Sequence, residues 1–122
     1  MKGLDKPVKI ILTGDAKAEY RRISEDKNRA IILKSIYDKS CILKSSPNYG
    51  FYICKSRIPK NYAIKYDINN LWKVNLASAW RMIYSLYGTK NEIAVIILDI
   101  ICHKAYEKKL GYNRNKKNKK FS

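Results

Sequence analysis

Along this chain the spacing of apolar residues shifts between the two-residue period of a strand and the three-to-four-residue period of a helix, and each shift marks an element. Residues 8–12 (VKIIL) form a short apolar run suited to an edge strand. Thr13-Gly14-Asp15 behind it supplies a turn and a polar cap for a helix. Residues 16–25 are rich in helix formers. After a polar break at 26–28, Leu33, Ile36, Tyr37 and Cys41 fall at helical spacing, so this part reads as a helical hairpin or one interrupted helix. Ser45-Ser46-Pro47-Asn48 stops it, because proline cannot continue a helix and pushes the residue before it toward extended geometry. Strand signals follow. Residues 50–56 are aromatic and β-branched, Ile58-Pro59-Lys60 interrupts them, and residues 62–68 form a basic, Tyr-rich connector without a clear period. Trp72, Val74 and Leu76 then alternate with Lys73 and Asn75, one face apolar and the other polar. Residues 80–87 and 93–102 give two more strands around a turn at 88–91. The second is apolar throughout and is expected in the sheet interior, covered on both faces. A short helix fits residues 103–110, and no internal repeat is visible. The expected fold class is α+β: an N-terminal strand, a helical hairpin, an antiparallel β-sheet of three or four strands and a short C-terminal helix. A single domain is expected over residues 1–112, with residues 113–122 a basic tail, disordered when alone.

Charge narrows the partner. In 122 residues, 26 Lys and Arg stand against 10 Asp and Glu, a formal net charge of +16. That excess is far beyond what solubility asks of a small domain and implies an anionic partner. The longest apolar run, residues 93–102, includes Asp99 and falls well short of the ~20 residues that span a bilayer, so a membrane is set aside in favour of nucleic acid. Residues 1–7 lack the apolar core of a signal peptide, so a cytoplasmic location is expected. The basic residues are also unevenly spread. Between residues 40 and 91 Asp67 is the sole acid, against Lys44, Lys55, Arg57, Lys60, Lys65, Lys73, Arg81 and Lys90. Tyr52, Tyr62 and Tyr66 are interleaved with them, the combination used by single-strand RNA binders. Lys55, Arg57, Lys60, Lys65 and Lys104 are therefore candidate RNA contacts. Lys116, Lys117, Lys119 and Lys120 in the tail would add affinity without reading sequence. Cys41, Cys54 and Cys102 are odd in number, have no C-x-x-C spacing and are joined by one histidine. They read as buried small apolar residues, and neither a metal site nor a cofactor is expected.

Three stretches carry a resemblance: residues 50–66 (GFYICKSRIPKNYAIKY), 70–86 (NLWKVNLASAWRMIYSL) and 99–112 (DIICHKAYEKKLGY). Together they resemble the back half of the RelE/ParE-type toxin superfamily, and the helical front half agrees in pattern. The resemblance implies a RelE-like fold and mRNA cleavage, free or on the ribosome, by a toxin neutralised by a cognate antitoxin. Some members of the superfamily inhibit DNA gyrase instead, so the chemistry rests on the site. Within the resemblance, Leu110-Gly111-Tyr112 matches the family's helix stop, a structural feature.

Metal-free RNA cleavage needs a group to take the ribose 2′-OH proton, positive charge on the phosphate, and a proton for the leaving oxygen. Arg81 matches the family's hairpin arginine, a bidentate phosphate clamp. Lys73 lies near a family lysine on the polar face of the preceding strand. His103, the only histidine, falls where the apolar strand gives way to a basic helix; it can exchange a proton near neutrality or serve as a structural residue at that junction. Tyr106 matches the family's C-terminal tyrosine, which the resemblance implies stacks on or orients a base or phosphate. Trp72 and Trp80 read as packing residues. Asn75 stands where some relatives carry a second basic residue, and this departure favours a second reading, a non-catalytic RNA- or ribosome-binding module on the same fold. The hairpin register decides whether a shared site exists. A two-residue reversal at Ser78-Ala79 would put Arg81 on the apolar face with Trp72 and Val74. A three-residue reversal puts it beside Lys73 and Asn75. The odd reversal is expected, because burying an unpaired guanidinium among Trp and Val costs several kcal/mol.

Overall fold

The computed structural model describes residues 6–110. The expected tail and the Gly111 helix stop lie outside them. A five-stranded sheet carries helices on both faces, its strands ordered β1-β5-β4-β3-β2. The chain runs through β1 (Val8–Leu12), α1 (Gly14–Ser24) and α2 (Ala30–Ser45), with a short 3-10 turn, Lys27–Arg29, between the two helices. It continues through β2 (Phe51–Ile53), α3 (Lys60–Tyr66), β3 (Leu71–Asn75), β4 (Arg81–Gly88), β5 (Ile93–Ile101) and α4 (His103–Leu110).

The α+β order is as expected, with three differences. The sheet is mixed, because β1 pairs in parallel with β5, Val8 opposite Ile93 and Leu12 opposite Ile97. The basic connector holds a helix, α3, which starts behind Pro59 and closes on Asp67 in the left-handed region at φ 55°. The inward face of α2 is Ile32, Ile36 and Leu43 with Leu33 packed beside them, so of the expected set Leu33 and Ile36 meet the core and Tyr37 and Cys41 do not. Tyr37 and Cys41 face solvent. The cysteine expectation fails with it: Cys41 and Cys54 are exposed and Cys102 is half-buried, since none lies on a core-facing position.

Two apolar clusters sandwich the sheet. One joins Ile23, Ile32, Ile36 and Leu43 of the helical hairpin to Val74, Met82, Tyr84, Val95, Ile97 and Ile100. The other joins Leu71, Ile83, Leu98 and Ile101 to Tyr62 of α3 and to Tyr106 and Leu110 of α4. Strand β5 is thus covered on both sides, as its apolar sequence suggested. A bulge between Ile83 and Tyr84 of the β4–β5 ladder lets Leu98 and Asp99 both belong to the α3–α4 side. Asp99 is buried there. It accepts from the Tyr62 hydroxyl at 2.7 Å and the Lys109 ammonium at 3.1 Å, which tie both helices to the sheet. Burial, and then the Asp99 carboxylate, push the Tyr62 phenol far above its ordinary pKa, so it remains a donor.

Tyr84 anchors the start of β2 from the opposite face. Its buried hydroxyl donates to the Pro47 carbonyl and accepts from the Gly50 amide, both at 3.0 Å, and burial raises its phenol pKa to about 12. Gly50 allows that approach: a Cβ there would meet the Tyr84 hydroxyl at 2.5 Å and the Lys73 carbonyl at 2.6 Å. Tyr84→Phe is expected to cost about 1–3 kcal/mol, the range for stranding a buried hydrogen-bonding group. Gly50→Ala is expected to cost more, because a backbone atom cannot yield. Denaturant unfolding checks both, and equal stability of Gly50→Ala and wild type would contradict this packing.

Candidate functional site

Strand β4 enters the sheet at Arg81, and its register there sets the site. Asn75 pairs with Arg81, Val74 with Met82, Lys73 with Ile83 and Trp72 with Tyr84. The Leu76 amide donates to the Trp80 carbonyl at 2.8 Å, so the reversal proper is the three residues Ala77–Ala79. Directly opposed residues share a face, which puts Arg81 with Asn75 and Lys73, as the odd reversal required. The turn is strained. Ser78 and Ala79 have φ of 56° and 63°, left-handed values that favour glycine. Ser35 of α2 steadies it, its hydroxyl accepting from the Ala77 amide at 3.0 Å. The guanidinium of Arg29 lies 5.1 Å from the centre of the Trp80 ring, holding the other shoulder of the turn.

Around Arg81 the four expected site residues converge. Nη1 donates to the Ala79 carbonyl at 2.9 Å, and Nη2 lies 3.3 Å from His103 Nδ1. The Arg81 guanidinium carbon stands 5.1 Å, and Lys73 Nζ 5.6 Å, from the centre of the Tyr106 ring. Lys73 Nζ is also 4.8 Å from the centre of the Phe51 ring and donates to Asn75 Oδ1 at 3.3 Å. Burial, and then the charge of Arg81, hold the Lys73 ammonium below the ordinary lysine pKa. Arg81 Nε is buried and has no hydrogen-bond partner among the described residues. Two cations are therefore held side by side on aromatic rings, with no carboxylate between them.

Geometry also assigns the histidine's protons. A guanidinium can only donate, so Nδ1 must offer its lone pair to Arg81 and the ring proton sits on Nε2. Nε2 faces Glu107 Oε2 at 3.1 Å, one helical turn along α4. Glu107 was not picked out in the sequence. The His103–Glu107 spacing of four on a helix was a signal, but such pairs are common on solvated faces. Phe51 was also missed, read there as one more strand aromatic.

The candidate RNA contacts divide. Arg57, Lys55, Lys60 and Lys104 are exposed, Arg57 beside the cluster in a hollow shared with Phe51, Lys73 and Tyr106. Lys65 is placed elsewhere: its ammonium pairs with Asp15 at 2.6 Å, and the Tyr66 hydroxyl donates to the same carboxylate. These bonds lower the Asp15 pKa, the ammonium contributing first. Tyr62 and Tyr66, taken from the sequence as stacking surfaces, pack against the second apolar cluster. Trp72 and Trp80 pack on the first cluster, as expected. Among the described residues no group of three or more His, Cys, Asp or Glu is placed to hold a metal ion, and no helix is long and apolar enough to cross a membrane.

The class that this fold and basic face define is an α+β domain with a cationic, aromatic-backed sheet face, and a solved structure shares its fold. That structure is the YoeB/ParE toxin from Agrobacterium tumefaciens, with a TM-score of 0.55 and 18% identity over 78% of this chain and 98% of that one. The chain thus shares the fold of that protein. Neither a protein-family model nor a curated protein matches the sequence.

The strained turn yields a direct test. Ala79→Gly is expected to raise stability by about 0.5–1 kcal/mol, since the left-handed φ costs an alanine more than a glycine. Thermal unfolding measures it; a lower midpoint would show that the turn is not held in this conformation.

Proposed function

We propose that the chain is a toxin of the RelE type that binds RNA and cleaves mRNA without a metal, free or on the ribosome. The observation that carries this reading is the convergence of Arg81, Lys73, His103 and Tyr106 on one face. Arg81 would clamp the scissile phosphate, its orphaned Nε gaining an acceptor as the guanidinium turns from the Ala79 carbonyl. His103 Nδ1, next to that clamp, takes the proton of the 2′-OH, and Glu107 steadies the resulting imidazolium. The 2′-oxygen attacks phosphorus, the P–O5′ bond breaks, and Lys73 gives the leaving oxygen its proton. A depressed ammonium pKa suits that last step. The products are a 2′,3′-cyclic phosphate and a 5′-OH. Tyr106 is buried beneath both cations, so its role is to position them rather than to stack on a base. Lys55, Arg57, Lys60 and Lys104 would track the backbone on either side, and Lys65 contributes less because Asp15 holds it.

A cognate antitoxin is the expected protein partner, its segment covering the same face, and the substrate implies a cytoplasmic site of action. The second reading, a non-catalytic RNA- or ribosome-binding module, is favoured by Asn75, a neutral amide beside Lys73 where the resemblance leads to a second basic residue. Incubating purified protein with mRNA, and separately with translating ribosomes, in chelator separates the two. Cleavage is expected, falling by about 10²–10³-fold in Arg81→Ala, the size seen when one transition-state charge donor is removed. His103→Ala is expected to lose cleavage while still binding RNA. RNA bound with a steep salt dependence but never cut would establish the second reading, and a flat salt response would remove the electrostatic case altogether.

A further inference from the structure

Beside the cationic cluster, and sharing Lys73 and Tyr106 with it, lies a hollow of about 230 Å³. Phe51, Ile53 and Leu110 give it apolar walls, Arg57 and Lys73 give it donors, and Tyr106 is shared with the cluster. It opens at the edge of the sheet, where β2 has a neighbour on one side only. Phe51 pairs across the ladder with Lys73, so its ring stands on the cluster's own face, yet it remains 59% exposed. Its exposed ring, with the Lys73 ammonium 4.8 Å from its centre and Arg57 lining the same hollow, offers the pairing of aromatic face and cation that single-strand RNA binders use.

A ligand for this hollow must present flat apolar faces to Phe51, Ile53 and Leu110 and hydrogen-bond acceptors to Arg57 and Lys73. Because Lys73 and Tyr106 belong to hollow and cluster alike, it must also carry an anionic group directly beside its flat ring. A nucleotide in a single strand has this constitution: a π-face, an edge rich in carbonyl oxygens and ring nitrogens, and a phosphate one sugar away. A peptide carboxylate or an isolated phosphate would satisfy the cations and leave the apolar walls wet. We infer that the hollow is a base subsite: it takes one nucleobase of the bound RNA, stacked on Phe51, with the adjoining phosphate on Lys73 and Arg81. This rests on the RNA reading above and adds where the strand sits and which side chain grips a base.

Binding of an uncleavable, 2′-O-methyl single-stranded RNA oligonucleotide tests it without relying on catalysis. Phe51→Ala is expected to weaken binding by about tenfold, within the range for one base–aromatic stack. The slope of affinity against salt should stay unchanged, because no phosphate contact is lost. Phe51→Tyr, which keeps the ring, should bind within about twofold of wild type. That rescue separates stacking from damage to the edge strand. An oligonucleotide lacking one base should bind wild type about tenfold more weakly when the gap falls at the subsite, and Phe51→Ala should add nothing further at that position. Equal binding by wild type and Phe51→Ala, with Arg81→Ala impaired, would overturn the subsite and leave the phosphate reading standing. Wild type that binds no RNA would overturn both.

Discussion

Two cations placed on one sheet face repel each other, and the structure is arranged around keeping them there. The repulsion is visible in the depressed pKa of Lys73, where the charge of Arg81 adds to the effect of burial. What offsets it is the ring of Tyr106, which offers its electron-rich face to both side chains, while Phe51 offers another to Lys73. Each such contact contributes about 0.5–2 kcal/mol depending on how far the cation is desolvated. Tyr106 can serve because α4 is fixed from beneath: Tyr106 and Leu110 sit in the second apolar cluster, and Lys109 binds Asp99. The bulge in the β4–β5 ladder brings Asp99 to that side. A change of one residue in the hairpin would undo the arrangement, since Arg81 would then point to the side of Trp72 and Val74, under the helical hairpin. The strained left-handed pair in the turn is the local cost of the correct register, and its carbonyl at Ala79 holds the guanidinium in place.

Much of this was legible where the physics is local. Alternation through Trp72, Val74 and Leu76 gave β3 and its faces, and the cost of burying a guanidinium gave the register. The apolar run at 93–101, interrupted only by Asp99, pointed to an interior strand. Features that depend on distant partners were not legible. Nothing in VKIIL tells whether β1 runs parallel or antiparallel to β5, because hydropathy carries no direction. α3 is seven residues long with two tyrosines, and local propensity leans away from a helix there; the contacts that hold it are distant, Tyr62 reaching Asp99, 37 residues on, and packing in the second apolar cluster. α2 has apolar residues on more than one side, so its periodicity fitted two phases, and packing selected Ile32, Ile36 and Leu43.

The same division holds at the site. Arg81, Lys73, His103 and Tyr106 were named from the resemblance to a family, and the fold brings them together. Lys65 shows the limit of charge counting: a basic residue in a basic stretch is claimed by an acid from α1, 50 positions away. Glu107 and Phe51 needed coordinates, one for the direction of the histidine's hydrogen bonds and the other for the hollow beneath its ring.

The central claim is that the face holding Arg81 and His103 receives an RNA phosphate. With a single histidine in the chain, the ¹⁵N signals of one imidazole report on that face without ambiguity. Titrating ¹⁵N-labelled protein with uncleavable RNA should move the His103 Nδ1 resonance to saturation in step with overall binding, as the phosphate draws Arg81 away from it. RNA that binds while both ring nitrogens stay unmoved would place the nucleic acid on another surface and contradict the account.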